Sequence, residues 1–388
     1  MLEKTEDIEP LVYNSSPSPT IGVEMEIWLV DKASRRLTSK AQSFLERFQE
    51  EPFVKKELWQ CMIELNTRVC NDVKEARLDL AGSIARLERA ADDLGTQLVS
   101  SGTHPYDTWR DLETTSDERY ARLLEVHAWT ARRLLICGLH AHVGVGSADK
   151  AIAVMNSVVS YLPHMLALSA SSPFWHQWDT GLQSSRSKVF EGLPKAGLPP
   201  YIRNWAEFVK LMRTLLNSHT IQSIREIWWD VRPHIGFGTV EMRICDALPT
   251  LNETMALVAF AQTLVVHFCD LYDQGHPLPV LMRWTLVENK WRAIRQGLDA
   301  KIIRNERGDV VPIVDHLKET LELLAPTADR LGATADLKYL EKIVECGNSA
   351  MRQRRIWEAT HDWIKVVDGL AWEFSNNQIL EPGMEADL

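Results

Sequence analysis

The chain has 388 residues, 45% of them hydrophobic and 25% charged, with 43 Lys+Arg against 53 Asp+Glu and a formal net charge of −10. This is a globular composition with material for one large domain or two ordinary ones. It argues against a general nucleic-acid binder, since no Lys/Arg block forms a phosphate track.

Residues 1–18 run into the stretch Ser15-Ser16-Pro17-Ser18-Pro19 and read as a mobile lead-in. The acidic start MLEKTEDIEP is unlike a signal peptide. A first strand is expected over Thr20–Asp31, with a turn near Lys32–Arg36. A polar-to-apolar segment follows at Lys56–Thr67. Asp72–Leu98 reads as a long amphipathic helix, with Ala76, Leu78, Leu80, Ile84, Leu87, Ala91 and Leu94 at helical spacing. A short strand is expected at Leu98–Gly102, a loop to Tyr106, a helix at Asp117–Arg133, a strand at Cys137–Val145 and a helix at Asp149–Ser169. Ser171–Pro200, rich in Ser, Gly and Pro, reads as a long functional loop. Asn204–Leu216 is helical. Ile227–Arg232 and Thr239–Asp246 read as strands joined hairpin-fashion through Pro233–Gly238. After Asn252 the pattern is helical to a polar tail. The expected division is a lead-in over 1–18, a single domain over 19–376 and a polar tail over 377–388. The order of elements suggests α+β: a mainly antiparallel sheet with helices on one face.

Six cysteines (Cys61, Cys70, Cys137, Cys245, Cys269 and Cys346) form no CxxC pair and no zinc-like spacing. Buried free thiols in a reducing cytoplasm are the expectation. No apolar stretch approaches the ~20 residues of a membrane span. Val258–Leu271 comes nearest, interrupted by His267 and Asp270.

Three β-prone runs place acids or histidines two residues apart: Glu24 with Glu26, His140 with His142, and Glu241 with Arg243. Side chains two apart on a strand share a face. Charges on a sheet face must be hydrated, paired or metal-bound. One such pair is ordinary alternation, but its recurrence suggests a shared polar floor. Glu57 and Glu64 are separated by an odd number of residues, so a straight strand would point them apart; a bend between them would unite them. One imidazole among several carboxylates suits Mg²⁺ or Mn²⁺ better than zinc. Arg243, Arg186 and Arg232 supply candidate contacts for transferring phosphate or other anions. There is no GxxxxGK[ST] loop, no GxGxxG after a strand and no GxSxG elbow.

In joint order and spacing, several stretches resemble the YbdK-like carboxylate–amine ligases, the second glutamate–cysteine ligase group, related to glutamine synthetase. They are Thr20–Glu26 (TIGVEME), Glu57–Glu64 (ELWQCMIE) with Asn66-Thr67, Gly102–Pro105 (GTHP), Cys137–Gly144 (CGLHAHVG), Trp228–Pro233 (WWDVRP), Gly238–Arg243 (GTVEMR) and Asn289–Arg292 (NKWR). The resemblance implies a curved, mainly antiparallel sheet forming a funnel, with helices on its outer face and ATP and substrates entering from opposite ends. It implies Glu24, Glu26, Glu57, Glu64, His140 and Glu241 as ligands of two to three Mg²⁺ or Mn²⁺ ions. It places Arg243 near the nucleotide phosphates, with Arg232 and His140 also assigned to the nucleotide, and Glu241, Arg243 and Arg186 as the catalytic set. His142, Arg186 and His104 are assigned to the substrates. The expected activity is ATP-dependent joining of a carboxylate to an amine, with glutamate and cysteine as the natural pair and another amine as the alternative. The expected partners are small molecules and a second copy of the chain, with neither nucleic acid nor membrane. A dinuclear metallohydrolase and a non-catalytic, metal-stabilised binding protein are the rival readings of the same residues.

Overall fold

The computed structural model of the protein describes residues 11–49 and 51–385. Its centre is strand β1 (Ile21–Asp31), where strict alternation decides which side chains enter the core. Ile21, Val23, Met25, Ile27 and Leu29 are buried on one face, and Glu24 and Glu26 emerge on the other. β1 pairs antiparallel with β3 (Met62–Asn66), β4 (Thr96–Val99) and β5 (Gly138–Gly144). β2 (Val54–Lys56) pairs antiparallel with β3.

Four short strands follow β5. β6 (Phe174–Trp175) and β7 (Trp178–Asp179) form a small hairpin, and β8 (Ala196–Gly197) pairs in parallel with β9 (Trp228–Trp229). β10 (Val231–His234) and β11 (Thr239–Asp246) complete the main sheet, whose order is β10-β11-β5-β1-β3-β2, with β4 also on β1. All pairings within it are antiparallel. The α+β architecture with an antiparallel sheet is therefore as expected.

Helices cover the apolar face. Leu251–Asp273 is buried along most of its length and packs against the helices Val73–Asp93, Ala148–Val158, Ile313–Leu331 and Thr334–Cys346. Asp72 caps the Val73–Asp93 helix by accepting from the Glu75 N–H, while the Glu75 carboxylate accepts from the Asn71 N–H. Such reciprocal caps satisfy amides the helix cannot bond itself.

The structure differs from the sequence reading in several places. The first long helix stops at Asp93, because Gly95 takes a left-handed backbone (φ 64°) that turns the chain directly into β4. Asp149–Ser169 divides into Ala148–Val158 and Leu162–Ser169 across a 3₁₀ turn; Pro163, which has no N–H, opens the second helix. Ser171–Pro200 is no bare loop: it contains the β6–β7 hairpin and the helix Ser185–Phe190. A hairpin, β12 (Lys301–Ile303) with β13 (Val310–Pro312), interrupts the helical final third.

Two helical stretches, Ala148–Ser169 and Leu251–Asp273, do reach membrane-span length and hydropathy; both are mostly buried in the protein, which accounts for their apolar composition. The expected lead-in falls partly on residues 1–10, outside the described residues. Asn14 donates its N–H to Ile235 O at 2.9 Å and Ser16 to Val145 O at 3.1 Å. At the other end Ile379 and Leu380 are buried and Glu385 pairs with Arg355 at 2.8 Å.

One buried charge group ties the helical layer together. Arg352, 1% exposed, bonds Glu373 at 2.6 Å and Glu253 at 2.8 Å, and both acids are as deeply buried. Removing the cation from such a group strands two desolvated carboxylates. Arg352→Met is therefore expected to cost about 3–5 kcal/mol, read from the urea midpoint; a loss under about 1 kcal/mol would mean that the two acids find other partners.

Candidate functional site

The polar face of the sheet collects its ionisable groups by register. Glu24 of β1 lies opposite His140 of β5, and Glu26 opposite Glu64 of β3. Across the next ladder Glu241 of β11 faces His142, and on its other side faces Arg232 of β10. Met25, between the two acids, points into the core. Gly22 sits opposite His142, and a Cβ there would lie 3.7 Å from the histidine's own.

Two groups of ligand atoms result. In each of Glu24–His140–Glu241 and Glu26–Glu57–Glu64, one donor atom per residue lies within 4.8 Å of the others. Glu57 reaches its group because β2 ends at Lys56 and the chain turns through Trp59 before β3 begins at Met62.

The first group is balanced by nearby cations. His140 Nδ1 lies 2.8 Å from Glu24 Oε2, and His142 Nε2, which has no hydrogen-bond partner, lies 3.5 Å from Glu24 Oε1. Arg232 donates to Glu241 at 2.7 Å, Arg243 donates to the same carboxylate, and Arg243 Nη1 lies 3.5 Å from His140 Nδ1. Burial pushes the Glu24 carboxyl up, but His140 and His142 outweigh it and hold Glu24 well below the usual range. Burial likewise opposes ionisation of Glu241, and Arg243 and Arg232 overcome it. Burial, reinforced by Arg243, pushes His140 down to about 4, so its ring is neutral and able to ligate.

The second group is not balanced. Burial pushes Glu26 up to about 7, with Arg186 opposing and Glu64 adding to the rise. Burial and the Glu26 charge bring Glu57 to about 7; burial, then Glu57 and Glu24, bring Glu64 to about 8. Their neutral donors are modest: Gly138 N–H to Glu26 at 2.5 Å, Leu58 N–H to Glu57 at 3.2 Å and Asn66 Nδ2 to Glu64 at 2.9 Å. Lys55 Nζ is 3.9 Å from Glu64. Three crowded carboxylates with this little compensation fit a divalent cation. The first group, with two carboxylates and a neutral imidazole, fits one as well.

Arg186 is placed differently from a loop arginine reaching for substrate. It lies in the Ser185–Phe190 helix, 4% exposed, its guanidinium donating to Ile244 O at 3.3 Å and Arg243 O at 3.4 Å. Its charge acts on Glu26 from behind Gly138. His104 does not join the face: its Nε2 bonds Arg35 O at 3.0 Å and its Nδ1 accepts from Asp107 N–H at 3.2 Å, which leaves neither nitrogen for a substrate.

Sequence reasoning missed Asp246. It is fully buried and accepts from Ser171 N–H, Ser172 Oγ and Ser184 Oγ at 2.7–3.0 Å, with Arg186 at 3.8 Å. It thereby fastens the Ser171–Arg186 segment to the sheet. Asp246 is an odd number of residues from Glu241, and only a β-bulge between Met242 and Cys245 disturbs the parity that would separate them. Asp230 was also missed: it pairs with buried Lys290 at 2.5 Å, Lys290 holds Glu191 at 2.6 Å, and the Asp230 carbonyl accepts from the Arg243 N–H.

Residues 20–367 match the profile of glutamate–cysteine ligase family 2. A protein of Thermobifida fusca, provisionally named glutamate–cysteine ligase 2, is 47% identical over 368 residues, covering 93% of this chain and 92% of its own. A Frankia casuarinae protein with the same provisional naming is 45% identical, covering 96% and 99%. Among solved structures, the Francisella tularensis glutamate–cysteine ligase in complex with AMP superposes with a TM-score of 0.70 at 12% identity, covering 97% of this chain and 92% of that one. A bifunctional glutathione synthetase of Pasteurella multocida gives 0.65 at 13% identity, covering 92% of this chain and 52% of that one. The chain belongs to glutamate–cysteine ligase family 2.

The contact between Gly138 and Arg186 is testable. A Cβ on Gly138 would fall 2.2 Å from Arg186 Nη2 and 2.9 Å from its Cζ. Gly138→Ala is expected to cost about 1–3 kcal/mol of stability by overpacking. An unchanged denaturation midpoint would mean that the guanidinium does not occupy that space.

Proposed function

We propose that this protein is an ATP-dependent carboxylate–amine ligase working through an acyl phosphate. The observation that carries the reading is the pair of three-ligand groups, side by side on one sheet face with Arg243 beside them. Glu24, His140 and Glu241 would hold one divalent cation, and Glu26, Glu57 and Glu64 another. An all-oxygen or oxygen-plus-imidazole donor set suits Mg²⁺ or Mn²⁺. When bound, such ions supply positive charge to the phosphate oxygens of ATP.

A carboxylate is a poor acyl donor because its leaving group would be oxide. Its oxygen attacks the γ-phosphorus, the bond to the ADP oxygen breaks, and the carboxylate becomes an acyl phosphate. Arg243, fixed by Glu241, is positioned to stabilise the equatorial oxygens of the transferring group. The amine then attacks the acyl carbon, phosphate leaves, and the nitrogen loses its proton as the amide forms. His142, whose Nε2 is buried and unpartnered beside Glu24, is assigned to a polar atom of the bound reactants. Arg232 orients Glu241. Arg186 holds the Glu26 side of the face from behind rather than meeting the substrate directly. Glutamate as acid and cysteine as amine are the substrates favoured by the family and by the names of its relatives.

Three outcomes test this reading. ADP release requires a carboxylic acid and an amine together; metal-dependent hydrolysis without nucleotide would overturn the ligase assignment. Glu26→Gln abolishes nearly all ADP formation with the fold retained, and activity within a few-fold of wild type would remove Glu26 from the ligand set. Arg243→Gln lowers kcat by about a thousandfold. Metal binding is also linked to protons: Glu64 and Glu57, at about 8 and about 7, hold protons that ligation must displace. Affinity for Mg²⁺ or Mn²⁺ therefore weakens as pH falls through those values, and binding releases protons. Calorimetry in buffers of different ionisation heat reads this directly, and a flat pH profile would contradict it.

A further inference from the structure

A second cleft lies across a separate aromatic core from the acid-lined face. Trp59, Tyr106, Tyr120 and Leu135 make up part of that core, with Trp109 and Trp175 packed at its margin. Beyond it, Thr108, Trp109, Arg110, Trp129, Arg133, Trp175 and His176 enclose about 460 Å³. That volume suits a small planar molecule.

The lining is unusual in three respects. First, it is rich in π-surface: Trp175 stacks on His176 with centroids 4.5 Å apart, and Arg133 lies 4.4 Å over the exposed Trp129 ring. Second, its lining is positively charged, and Asp107, whose charge also reaches His176, is engaged by Arg36 at 2.9 Å. Neither the Arg110 nor the Arg133 guanidinium has a carboxylate partner among the described residues, in a chain whose net charge is −10. His176 Nε2 is buried without a hydrogen-bond partner, and burial, followed by Arg110 and Arg133, keeps that ring neutral. Third, the backbone around it is strained. Ala128 breaks its helix at φ 46°, ψ −121°, directly before Trp129, whereas the φ of 49° and 66° at His176 and Gln177 belong to the ordinary two-residue turn of the β6–β7 hairpin. Positive φ at a non-glycine residue outside such a turn costs energy and gathers where a ligand is gripped.

We propose that this cleft binds a small planar anion, a flat ring bearing a carboxylate or a phosphate, at a site separate from the ligase centre. The ring lies among the Trp109, Trp129 and Trp175 faces, and the anionic group meets Arg110 and Arg133, whose planar forks match carboxylate and phosphate oxygens. His176 Nε2 supplies the remaining polar contact. The site stands independently of the reaction assigned above.

Titration calorimetry with benzoate and with phenyl phosphate tests it, and the tighter binder of the two identifies the head group. At least one is expected to bind with a Kd at or below about 1 mM. Acetate, lacking the ring, and benzyl alcohol, lacking the charge, should bind at least about tenfold more weakly. The Arg110→Gln/Arg133→Gln double variant and, separately, Trp129→Ala should each weaken binding by about tenfold or more. These side chains lie at the surface, so the fold should survive their loss. Glu26→Gln should leave binding unchanged, which separates this site from the acid-lined face. Failure of both probes to bind, binding unaffected by both sets of substitutions, or acetate binding as tightly as benzoate would overturn the proposal.

Discussion

The antiparallel register of β1, β5 and β11 is the constraint on which the acid-lined face depends. It sets Glu24 against His140 and Glu241 against His142, so residues more than two hundred positions apart in sequence meet without a loop to carry them. A one-residue slip in either ladder would turn every one of these side chains into the apolar layer. The buried row of Ile21, Val23, Met25, Ile27 and Leu29 resists that slip, since the same slip would expose it. Core and site are thus two faces of one alternation.

The two ligand groups differ in how their charge is held. Glu241 is clamped by two guanidinium groups before any ligand arrives, and Glu24 is held by the His140 imidazole with His142 close by. Glu26, Glu57 and Glu64 lack comparable partners and crowd one another instead. One half of the face is preorganised and the other half is under electrostatic load. Behind both lies a layer of buried ion pairs, Asp246 with Arg186 and Asp230 with Lys290, that fixes the segments flanking β11. A site assembled this way draws precision from strands and the chains fastened to them rather than from free loops.

Much of this was legible in the sequence wherever spacing carries the information. Acids and histidines two apart in apolar runs marked β1, β5 and β11, and the order of elements indicated an antiparallel α+β fold. The joint pattern of short stretches pointed to the family. What spacing could not deliver was geometry made by departures from regularity. The turn that brings Glu57 to Glu64, the bulge that lies between Glu241 and Asp246, and the hydrogen bonds that tie both nitrogens of His104 leave no periodic trace. Arg186 was identified as a candidate, but its burial behind Gly138 depends on a glycine's missing Cβ, a contact visible only in three dimensions.

The margins of the sheet have a consequence for the protein in concentrated solution. An open sheet leaves unpaired amides on its outermost strands, which can template addition of another chain. Here one margin is β2, only three residues long and ending in the exposed Lys55 and Lys56. The other is β10, where Pro233 contributes no amide hydrogen at all. At both borders the strand chemistry therefore works against the addition of a stray neighbour.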